Sequence, residues 1–272
     1  MKISESRRLD LRQMIAVTWP DFPLHQETLV PFQPQGWDYD SVSIGPWVLR
    51  AGRSQASRRH LQYEMAKLDT LNLPIPTPRY QWRSNWGGIY QRLPGAPASS
   101  HELQRPDRKF ALSEFVSALQ RPEHLPRRFN PVRCHRHWRL RYQQLWNEIN
   151  EWVVPLLSMK QHRYIAARIR EFLGSEENFR WDPVLLHGDL TPGHILLTPE
   201  GIGGIIDFGD MITGDPALDW ASWATGEMPP EFEERAEFYR WIAPAYGVLR
   251  SLGHGSVEQA ETALGRWIKL WR

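Results

Sequence analysis

The sequence predicts an α+β fold with two lobes: a small N-terminal lobe built on an antiparallel sheet, and a larger, mainly helical C-terminal lobe. Residues 28–51 alternate in polarity between turn signals, as the strands of a meander do. After Gly95, apolar residues recur at helical spacing instead. The turn Pro94-Gly95 separates the two patterns, so we place the lobes at residues 1–93 and 94–272.

The elements of the N-terminal lobe follow from local patterns. Apolar residues at helical spacing predict the helices, and turn residues bound the strands. A proline-rich run, residues 74–78, ends the second helix. The predicted order is a helix over residues 5–18, a meander over 28–51 that ends in the strand Trp47–Arg50, a helix over 56–71 and two strands over 79–93.

The C-terminal lobe is predicted to be helical apart from three short strands. Short apolar runs between polar turns predict these strands, and the second and third of them form a hairpin. The predicted order is a helix over 138–157, another near 161–173, strands at 184–186, 195–197 and 204–206, and helices near 216–224, 231–250 and 256–270.

Composition narrows the class of protein. The 272 residues carry a net charge of +2, which is too weak to indicate a nucleic-acid partner. The charged N-terminus lacks the apolar segment of a secretory signal, and no run approaches the ~18 apolar residues that a membrane span needs. Cys134 is the only cysteine, so no internal disulfide is expected. We expect a cytoplasmic enzyme without a membrane or nucleic-acid partner.

The segment HGDLTPGHILLTPEGIGGIIDFGD, residues 187–210, carries the chemistry. Phosphoryl transfer requires a carboxylate that accepts the proton of a hydroxyl, ligands for Mg²⁺ and a scaffold that fixes their spacing. Asp189 lies on a loop, His194 follows five residues later, and Asp207 comes 13 residues after His194. The predicted hairpin holds the last two on fixed backbone. The segment therefore predicts a kinase site with Asp189 as its catalytic carboxylate.

This segment resembles the aminoglycoside phosphotransferase family, whose fold is shared with protein kinases. Protein kinases place a metal-binding Asn five residues after the catalytic Asp, and a DFG sequence follows. The chain keeps the five-residue step and contains Asp207-Phe208-Gly209, but it has His194 at the Asn position. A similar His occurs in the branches that phosphorylate aminoglycosides at the 2″-hydroxyl and macrolides at the 2′-hydroxyl. The resemblance implies a bilobal protein-kinase-like fold and a magnesium-dependent phosphotransferase.

The resemblance assigns Asp207 and His194 to the metal ion. Mg²⁺ prefers oxygen ligands, so an imidazole at this position is unusual and binds either directly or through water. Mn²⁺ is therefore an alternative cofactor to Mg²⁺. The sequence leaves the choice between them open.

The nucleotide-binding residues come from the same resemblance. Residues 36–50 are similar to the phosphate-covering hairpin of the family, although they lack G-x-G-x-x-G, and Arg50 stands where the family usually has Lys. Glu64 matches the partner of that cation. Local pattern alone leaves an alternative open for each residue: Arg50 as an exposed strand cation, and Glu64 as a solvated helix charge. The segment that resembles the nucleobase-binding hinge contains Tyr90, Arg92 and Leu93. ATP and GTP both remain open as the co-substrate.

Residues 214–220 match the GDPxxD segment of the family. Within it, Asp219 is expected to hydrogen-bond loop backbone or to cap a turn. His187 is expected to orient the catalytic loop rather than to react. Asp215 has two interpretations: a substrate contact, or a cap of the helix that begins beside Pro216.

The acceptor is predicted from the acidic residues in the run 227–237. A polycationic aminoglycoside needs carboxylates, and Glu231, Glu234 and Glu237 share one broad face of a predicted helix. We assign Glu234 and Glu237 to substrate binding. A macrolide kinase is the alternative, with an apolar pocket lined by C-terminal tryptophans that otherwise pack in the core. These tryptophans are Trp220, Trp223, Trp241, Trp267 and Trp271.

Other classes remain open from the sequence. A smaller metabolite, such as homoserine, choline or a ketosamine, also remains open as the acceptor of the kinase. A catalytically silent nucleotide-binding protein is the alternative outside enzymes. The sequence does not decide between a monomer and a homodimer, and it does not decide whether antibiotic resistance is the physiological role.

Overall fold

The computed structural model describes residues 3–23, 27–32, 36, 38–125, 129–223 and 228–271. Glu227, which belongs to the acidic run, and the last residue of the helix expected near 216–224 lie outside the described residues. The chain forms two compact units. The first unit consists of Met1–Leu119 and Thr191–Met211, and the second of Gln120–Leu190 and Ile212–Arg272. The functional division at residues 93 and 94 stays a prediction.

The described residues form strands and helices throughout the chain. The strands are β1 Leu29–Pro31, β2 Tyr39–Ile44, β3 Trp47–Gly52, β4 Tyr80–Arg83, β5 Gly87–Gln91, β6 Ala96–Pro97, β7 Val184–Leu186, β8 Ile195–Thr198, β9 Gly201–Ile205 and β10 Ile212–Gly214. The α-helices are α1 Glu5–Thr18, α2 Gln55–Leu68, α3 Pro106–Leu119, α4 Pro131–Glu148, α5 Met159–Gly174, α6 Ala217–Trp220, α7 Glu233–Gly253 and α8 Val257–Lys269. The predicted α+β class is confirmed.

The first unit contains a five-stranded antiparallel sheet in the order β1-β2-β3-β5-β4. The meander, the strand at Trp47 and the two strands within 79–93 are thereby confirmed. Strand β3 is central in this sheet, and every residue from Val48 to Gly52 is buried. Arg50 lies on it, opposite Ser41 of β2 and Gly88 of β5. A charged side chain at this position needs partners inside the protein.

Helix α2 packs against β3 and β5 and contributes Glu64 to the interior. The helix begins at a reciprocal cap. The Ser54 hydroxyl accepts from the Ser57 backbone N–H at 3.0 Å, and the Ser57 hydroxyl accepts from the Ser54 N–H at 2.8 Å. Leu61, Met65 and Leu68 are buried on the predicted face. The cap and the apolar face together fix which side of the helix turns inward.

The predicted hairpin forms in the first unit. β8 pairs with β9, and β6 adds a third strand through Ala96, which lies opposite Leu197. The return strand runs over Gly201–Ile205, earlier than the predicted 204–206. It ends before Asp207, and a turn of 3₁₀-helix over Phe208–Asp210 follows.

The second unit has an aromatic core between α4, α5, α7 and α8. α4 begins at Pro131, earlier than predicted, because the Asn130 side chain caps it by accepting from the Arg133 N–H at 3.0 Å. A turn of π-helix over Ile149–Val153 continues α4. β7 pairs with β10, a three-residue strand that the sequence analysis did not predict.

The C-terminal tryptophans pack into protein. Trp241 and Trp267 belong to the core cluster of the second unit. Trp220 and Trp223 are also buried, and their ring centroids lie 5.1 Å apart. Core packing, one of the two interpretations of these residues, is therefore confirmed for these four.

Among the described residues, no helix is both long and apolar enough to cross a membrane.

Candidate active site

The loop that carries Asp189 is fixed by a buried carboxylate. Asp219 on α6 is 1% exposed, and its Oδ2 accepts from the His187 backbone N–H at 2.7 Å. Its Oδ1 accepts from the Gly188 N–H at 2.9 Å. The Asp189 N–H donates to Nδ1 of the buried His187 at 3.3 Å. The Asp219 carboxylate and the His187 ring thus fix the backbone of the loop. The side chain of Asp189 on this loop is partly exposed.

Gly188 gives the loop its bend. Its φ is +86°, in the region that side chains with a Cβ avoid. The turn aims two successive N–H groups at the same carboxylate, that of Asp219. The backbone conformation therefore favours a glycine directly before Asp189, independently of the family pattern.

The electrostatics of Asp219 reflect its burial. Burial raises the pKa of its carboxyl to about 7, although the N–H groups of Gly188 and His187 oppose this by stabilising the charged form. The negative charge of Asp189 raises the pKa further. The residue that orders the loop therefore changes charge near neutral pH.

A pH dependence of stability follows from this shift. The folded-state pKa lies above the ordinary value of 3.8, so the stability that Asp219 contributes is fully present below about pH 4 and is lost as the pH rises through about 7. We expect the difference in free energy of unfolding between wild type and Asp219→Asn, measured by urea titration, to shrink from pH 4.5 to pH 8. The exposed Asp182→Asn serves as the control. A difference that stays constant over this range would contradict the assignment.

His194 and Asp207 lie together at the base of the hairpin. The imidazole Nε2 is 3.5 Å from the Asp207 Oδ2. Asp207 has a φ of +65°, and it is the one non-glycine residue with positive φ among the described parts of the chain. Such backbone is costly, and Asp tolerates it better than most residues. The chain thus accepts local strain to aim this carboxylate.

The geometry of this pair suits a divalent ion. Neighbouring ligands of an octahedral Mg²⁺ lie about 3 Å apart when each is 2.0–2.1 Å from the metal, so a small adjustment brings both atoms onto one ion. Both side chains are partly exposed and can be reached. No group of three or more His, Cys, Asp or Glu side chains suited to a metal occurs within the described ranges. The separation and exposure of this pair fit an ion that takes its other ligands from water and phosphate, as Mg²⁺ does.

Arg50 joins two carboxylates inside the first unit. Its Nη1 donates to both oxygens of Glu64, at 3.0 and 3.1 Å, and its Nη2 donates to the Asp207 Oδ1 at 2.6 Å. Arg50 is 4% exposed and Glu64 is fully buried. An exposed strand cation and a solvated helix charge, the alternatives left open by the sequence, are therefore excluded.

The charge of Arg50 is secured by these partners. Burial lowers its pKa, but Asp207 and Glu64 raise it more, so that the pKa lies well above its ordinary value. A planar guanidinium can donate to two carboxylates at once, whereas a Lys ammonium offers a single point charge. Arg50, at a position that the family usually fills with Lys, thus connects its partner Glu64 with Asp207, the residue assigned to the metal ion.

Sequence reasoning missed Tyr39, which lies over this cation. The Arg50 guanidinium carbon is 4.3 Å from the centre of the Tyr39 ring. The Tyr39 hydroxyl lies 3.0 Å from where a Cβ would stand on Gly209. Burial raises the pKa of Tyr39, so the hydroxyl keeps its proton. The alternation of side chains along β2 could have indicated this contact. It places Tyr39 on the same face as Ser41, which lies opposite Arg50.

The residues of the predicted hinge lie at the end of β5 and just after it. Tyr90 is buried, and its ring centre is 5.0 Å from that of Tyr80. The Arg92 backbone N–H donates to the Pro46 carbonyl at 2.8 Å, and its guanidinium lies over Phe32. Leu93 packs against Gly204 of the hairpin. Their role toward a nucleobase stays a prediction.

Asp215 is enclosed by protein groups. Its Oδ2 accepts from the Arg235 Nε and from the Tyr239 hydroxyl, each at 2.7 Å, and its Oδ1 accepts from the Ala217 N–H at 3.0 Å. The residue is fully buried. Asp215 therefore offers no accessible oxygen to an acceptor, which corrects the substrate contact predicted for it. The bond to Ala217, just after Pro216, agrees with the capping interpretation.

Glu234 and Glu237 line a pocket of about 410 Å³ between α5 and α7, and Glu171 of α5 lines it too. The Glu237 Oε1 accepts from the Arg168 Nη2 at 2.6 Å. Glu237 stands about 200° around α7 from Arg235, which binds Asp215, so the two residues face opposite sides of the helix. The three carboxylates against one guanidinium leave this pocket acidic.

Solved structures share this arrangement of strands and helices. The chain superimposes on the GDP complex of aminoglycoside 2'-phosphotransferase-IIIa with a TM-score of 0.80 and 20% identity, covering 97% of this chain and 98% of that one. The streptomycin–ATP ternary complex of APH(2")-IIa gives 0.68 and 13%, covering 99% and 97%. Macrolide 2'-phosphotransferase MphH from Brachybacterium faecium gives 0.68 and 21%, covering 93% and 96%. The protein thus has the protein-kinase-like α+β fold predicted from its sequence.

The sequence itself defines the family. Residues 36–252 match the model of the phosphotransferase enzyme family. The chain belongs to this family, and it is a phosphotransferase. A comparison with curated proteins finds no match.

Proposed function

We propose that the protein is a metal-dependent kinase that transfers the γ-phosphate of ATP or GTP to a hydroxyl of an aminoglycoside-like acceptor. The observation that carries this proposal is the connection of Arg50 to both Glu64 and Asp207, with His194 beside Asp207. A buried cation joined to an accessible carboxylate suits the recognition of phosphate beside a metal ion. Phosphoryl transfer also needs a carboxylate that accepts the hydroxyl proton. Asp189 supplies it, on a loop whose backbone is held by Asp219.

In this proposal Asp189 acts on the acceptor. Its carboxylate orients the acceptor hydroxyl and accepts its proton as the oxygen attacks the γ-phosphorus. The new O–P bond forms while the bond from the γ-phosphorus to the β–γ bridging oxygen breaks, and the nucleoside diphosphate leaves. Asp219 and His187 support this step by holding the backbone of the loop.

The remaining residues act on the nucleotide. Arg50, held by Glu64, contacts the α- and β-phosphates, and Tyr90, Arg92 and Leu93 meet the base. Asp207 and His194 would hold Mg²⁺ or Mn²⁺, which when bound neutralises phosphate charge. Solved relatives hold GDP in one case and ATP in another, so both nucleotides belong in the test. The nucleotide is supplied in the cytoplasm, where we place the enzyme.

The acceptor class rests on charge. The pocket with Glu234, Glu237 and Glu171 suits a polycation, and one solved relative was obtained with streptomycin. A macrolide acceptor is supported by the similarity to a macrolide phosphotransferase, but Trp241 and Trp267 are core residues and cannot line its pocket. We therefore favour the aminoglycoside-like acceptor and keep macrolides as the second candidate.

A coupled nucleotide-consumption assay against aminoglycosides, macrolides and small hydroxylated metabolites tests this proposal. We expect turnover with aminoglycosides. The double variant Glu234→Gln/Glu237→Gln should raise the acceptor KM severalfold and weaken its dependence on salt, because exposed ion pairs are screened over ~8–10 Å at physiological ionic strength. The KM of the nucleotide should not change.

The matched control is Glu258→Gln/Glu261→Gln, an exposed pair with the same three-residue spacing on α8. It removes the same charge from two residues that do not line the pocket, and it should leave the acceptor KM unchanged. If both double variants behave alike, the acidic pocket does not bind the acceptor. Turnover with macrolides alone would establish the second candidate instead.

A further inference from the structure

Tyr80 makes a buried contact with Glu64 that sequence analysis did not identify. It is the first residue of β4 and is 4% exposed. Its hydroxyl donates to the Glu64 Oε1 at 2.8 Å. Burial raises the pKa of Tyr80 well above its ordinary value, so the hydroxyl keeps the proton that it donates. The carboxylate that orients Arg50 is thus itself held by a second donor.

Two features of the sheet determine where the Tyr80 side chain lies. The pairing of β4 with β5 is in register at Tyr80 and Tyr90, then shifts before Trp82, as at a β-bulge. Bulges redirect side chains and are frequent near active sites. On β5, Gly88 leaves room for the ring: a Cβ there would lie 2.6 Å from the Tyr80 Cδ1. The register shift in β4 and the absence of a side chain at Gly88 therefore both allow the position that Tyr80 occupies.

Three contacts join four side chains in a continuous path from Tyr80 to Asp207. Tyr80 donates to Glu64, Glu64 accepts from Arg50, and Arg50 donates to Asp207. Since Glu64 is fully buried, water cannot replace a lost donor. A carboxylate held by one partner instead of two has more freedom to turn, and the guanidinium turns with it.

We propose that Tyr80 is a positioning residue for nucleotide binding: through Glu64 it holds the Arg50 guanidinium in the orientation that receives the phosphates. This inference rests on the proposed function, in which Arg50 contacts the nucleotide. Because Tyr80 is 4% exposed, it acts through Glu64 and not by direct contact with nucleotide or acceptor. Loss of the Tyr80 hydroxyl should therefore raise the KM of the nucleotide and leave the KM of the acceptor unchanged.

The test compares Tyr80→Phe with Tyr63→Phe. Phe at position 80 keeps the ring and its packing and removes only the donor. Tyr63 precedes Glu64 on the same helix and is half exposed, so it provides the same chemical change outside the path. We expect Tyr80→Phe to weaken nucleotide binding about tenfold, as loss of a supporting residue around a functional group does, with the acceptor KM unchanged. Tyr63→Phe should match wild type.

A double-mutant cycle shows whether Tyr80 acts through Glu64. In a Glu64→Ala background the hydroxyl has no carboxylate to hold, so adding Tyr80→Phe should change nucleotide affinity by less than about twofold. Gly88→Ala, which forces the ring to move, should reproduce the effect of Tyr80→Phe without removing the hydroxyl.

The outcomes separate this inference from the proposed function. Wild type that neither binds nor uses a nucleotide overturns the proposed function and this inference with it. Active wild type whose Tyr80→Phe variant has a lower melting temperature but unchanged nucleotide affinity overturns this inference alone, because the hydroxyl is then only structural. An undiminished effect of Tyr80→Phe in the Glu64→Ala background overturns it as well.

Discussion

Replacement of Asp189 by Asn is expected to lower kcat by about 10²–10⁴ while the Kd of the nucleotide stays within about twofold of wild type. The amide has the shape of the carboxylate but cannot accept the proton of the acceptor hydroxyl. The loop should keep its structure, because Asp219 binds the backbone of residues 187 and 188 and not the side chain of Asp189. Steady-state kinetics together with a nucleotide-binding titration measure both quantities.

The control for this variant is Asp182→Asn, which neutralises an exposed carboxylate in the same compact unit. It should retain wild-type kinetics. If Asp189→Asn keeps more than about a tenth of the wild-type kcat, Asp189 is not the base. A loss of kcat accompanied by an equal loss of nucleotide affinity would instead assign Asp189 to the nucleotide.

Replacement of Asp207 by Asn is expected to have a second large effect, a fall in kcat of at least about 10². The change removes the charge that both Arg50 and a divalent ion need. Nucleotide binding should then lose its dependence on Mg²⁺ or Mn²⁺, which a titration with and without metal detects. In wild type, Mn²⁺ should support turnover at least as well as Mg²⁺, because the imidazole of His194 suits it better.

Asp107→Asn is the control here, since it removes an exposed carboxylate of the same compact unit in the first turn of α3. Its metal dependence should equal that of wild type. Nucleotide binding by Asp207→Asn that still strengthens with metal would show that Asp207 is not a ligand.

Local patterns in the sequence located most of the candidate site. The spacing of Asp189, His194 and Asp207 reflects a loop and a hairpin, which are short-range features that a pattern can encode. Arg50 and its partner Glu64 came instead from the family resemblance, because the local pattern left open that both were solvated charges. Their pairing brings a strand and a helix together, which a local pattern does not encode.

The rest depends on distant parts of the chain. Tyr80 reaches Glu64 from a point on β4 where the pairing with β5 shifts register, and no local pattern indicates that irregularity. Asp215 is buried because Arg235 and Tyr239, a helix away, turn toward it. Glu234 and Glu237 do share a pocket, but the pattern could not show that α5 forms its other wall. Helical periodicity shows which residues share a face of a helix, but it does not show which element packs against that face.

The central claim is transfer of a phosphoryl group to a hydroxyl, and it is tested most directly with γ-labelled nucleotide. Wild-type protein is incubated with γ-³²P-ATP or γ-³²P-GTP, Mg²⁺ and each acceptor of the panel, and the label is followed into the acceptor. The account predicts labelled acceptor with wild type, and at least about 10²-fold less with Asp189→Asn or when the metal is chelated. Bound nucleotide whose label never reaches any acceptor, or transfer that persists in Asp189→Asn, would contradict it.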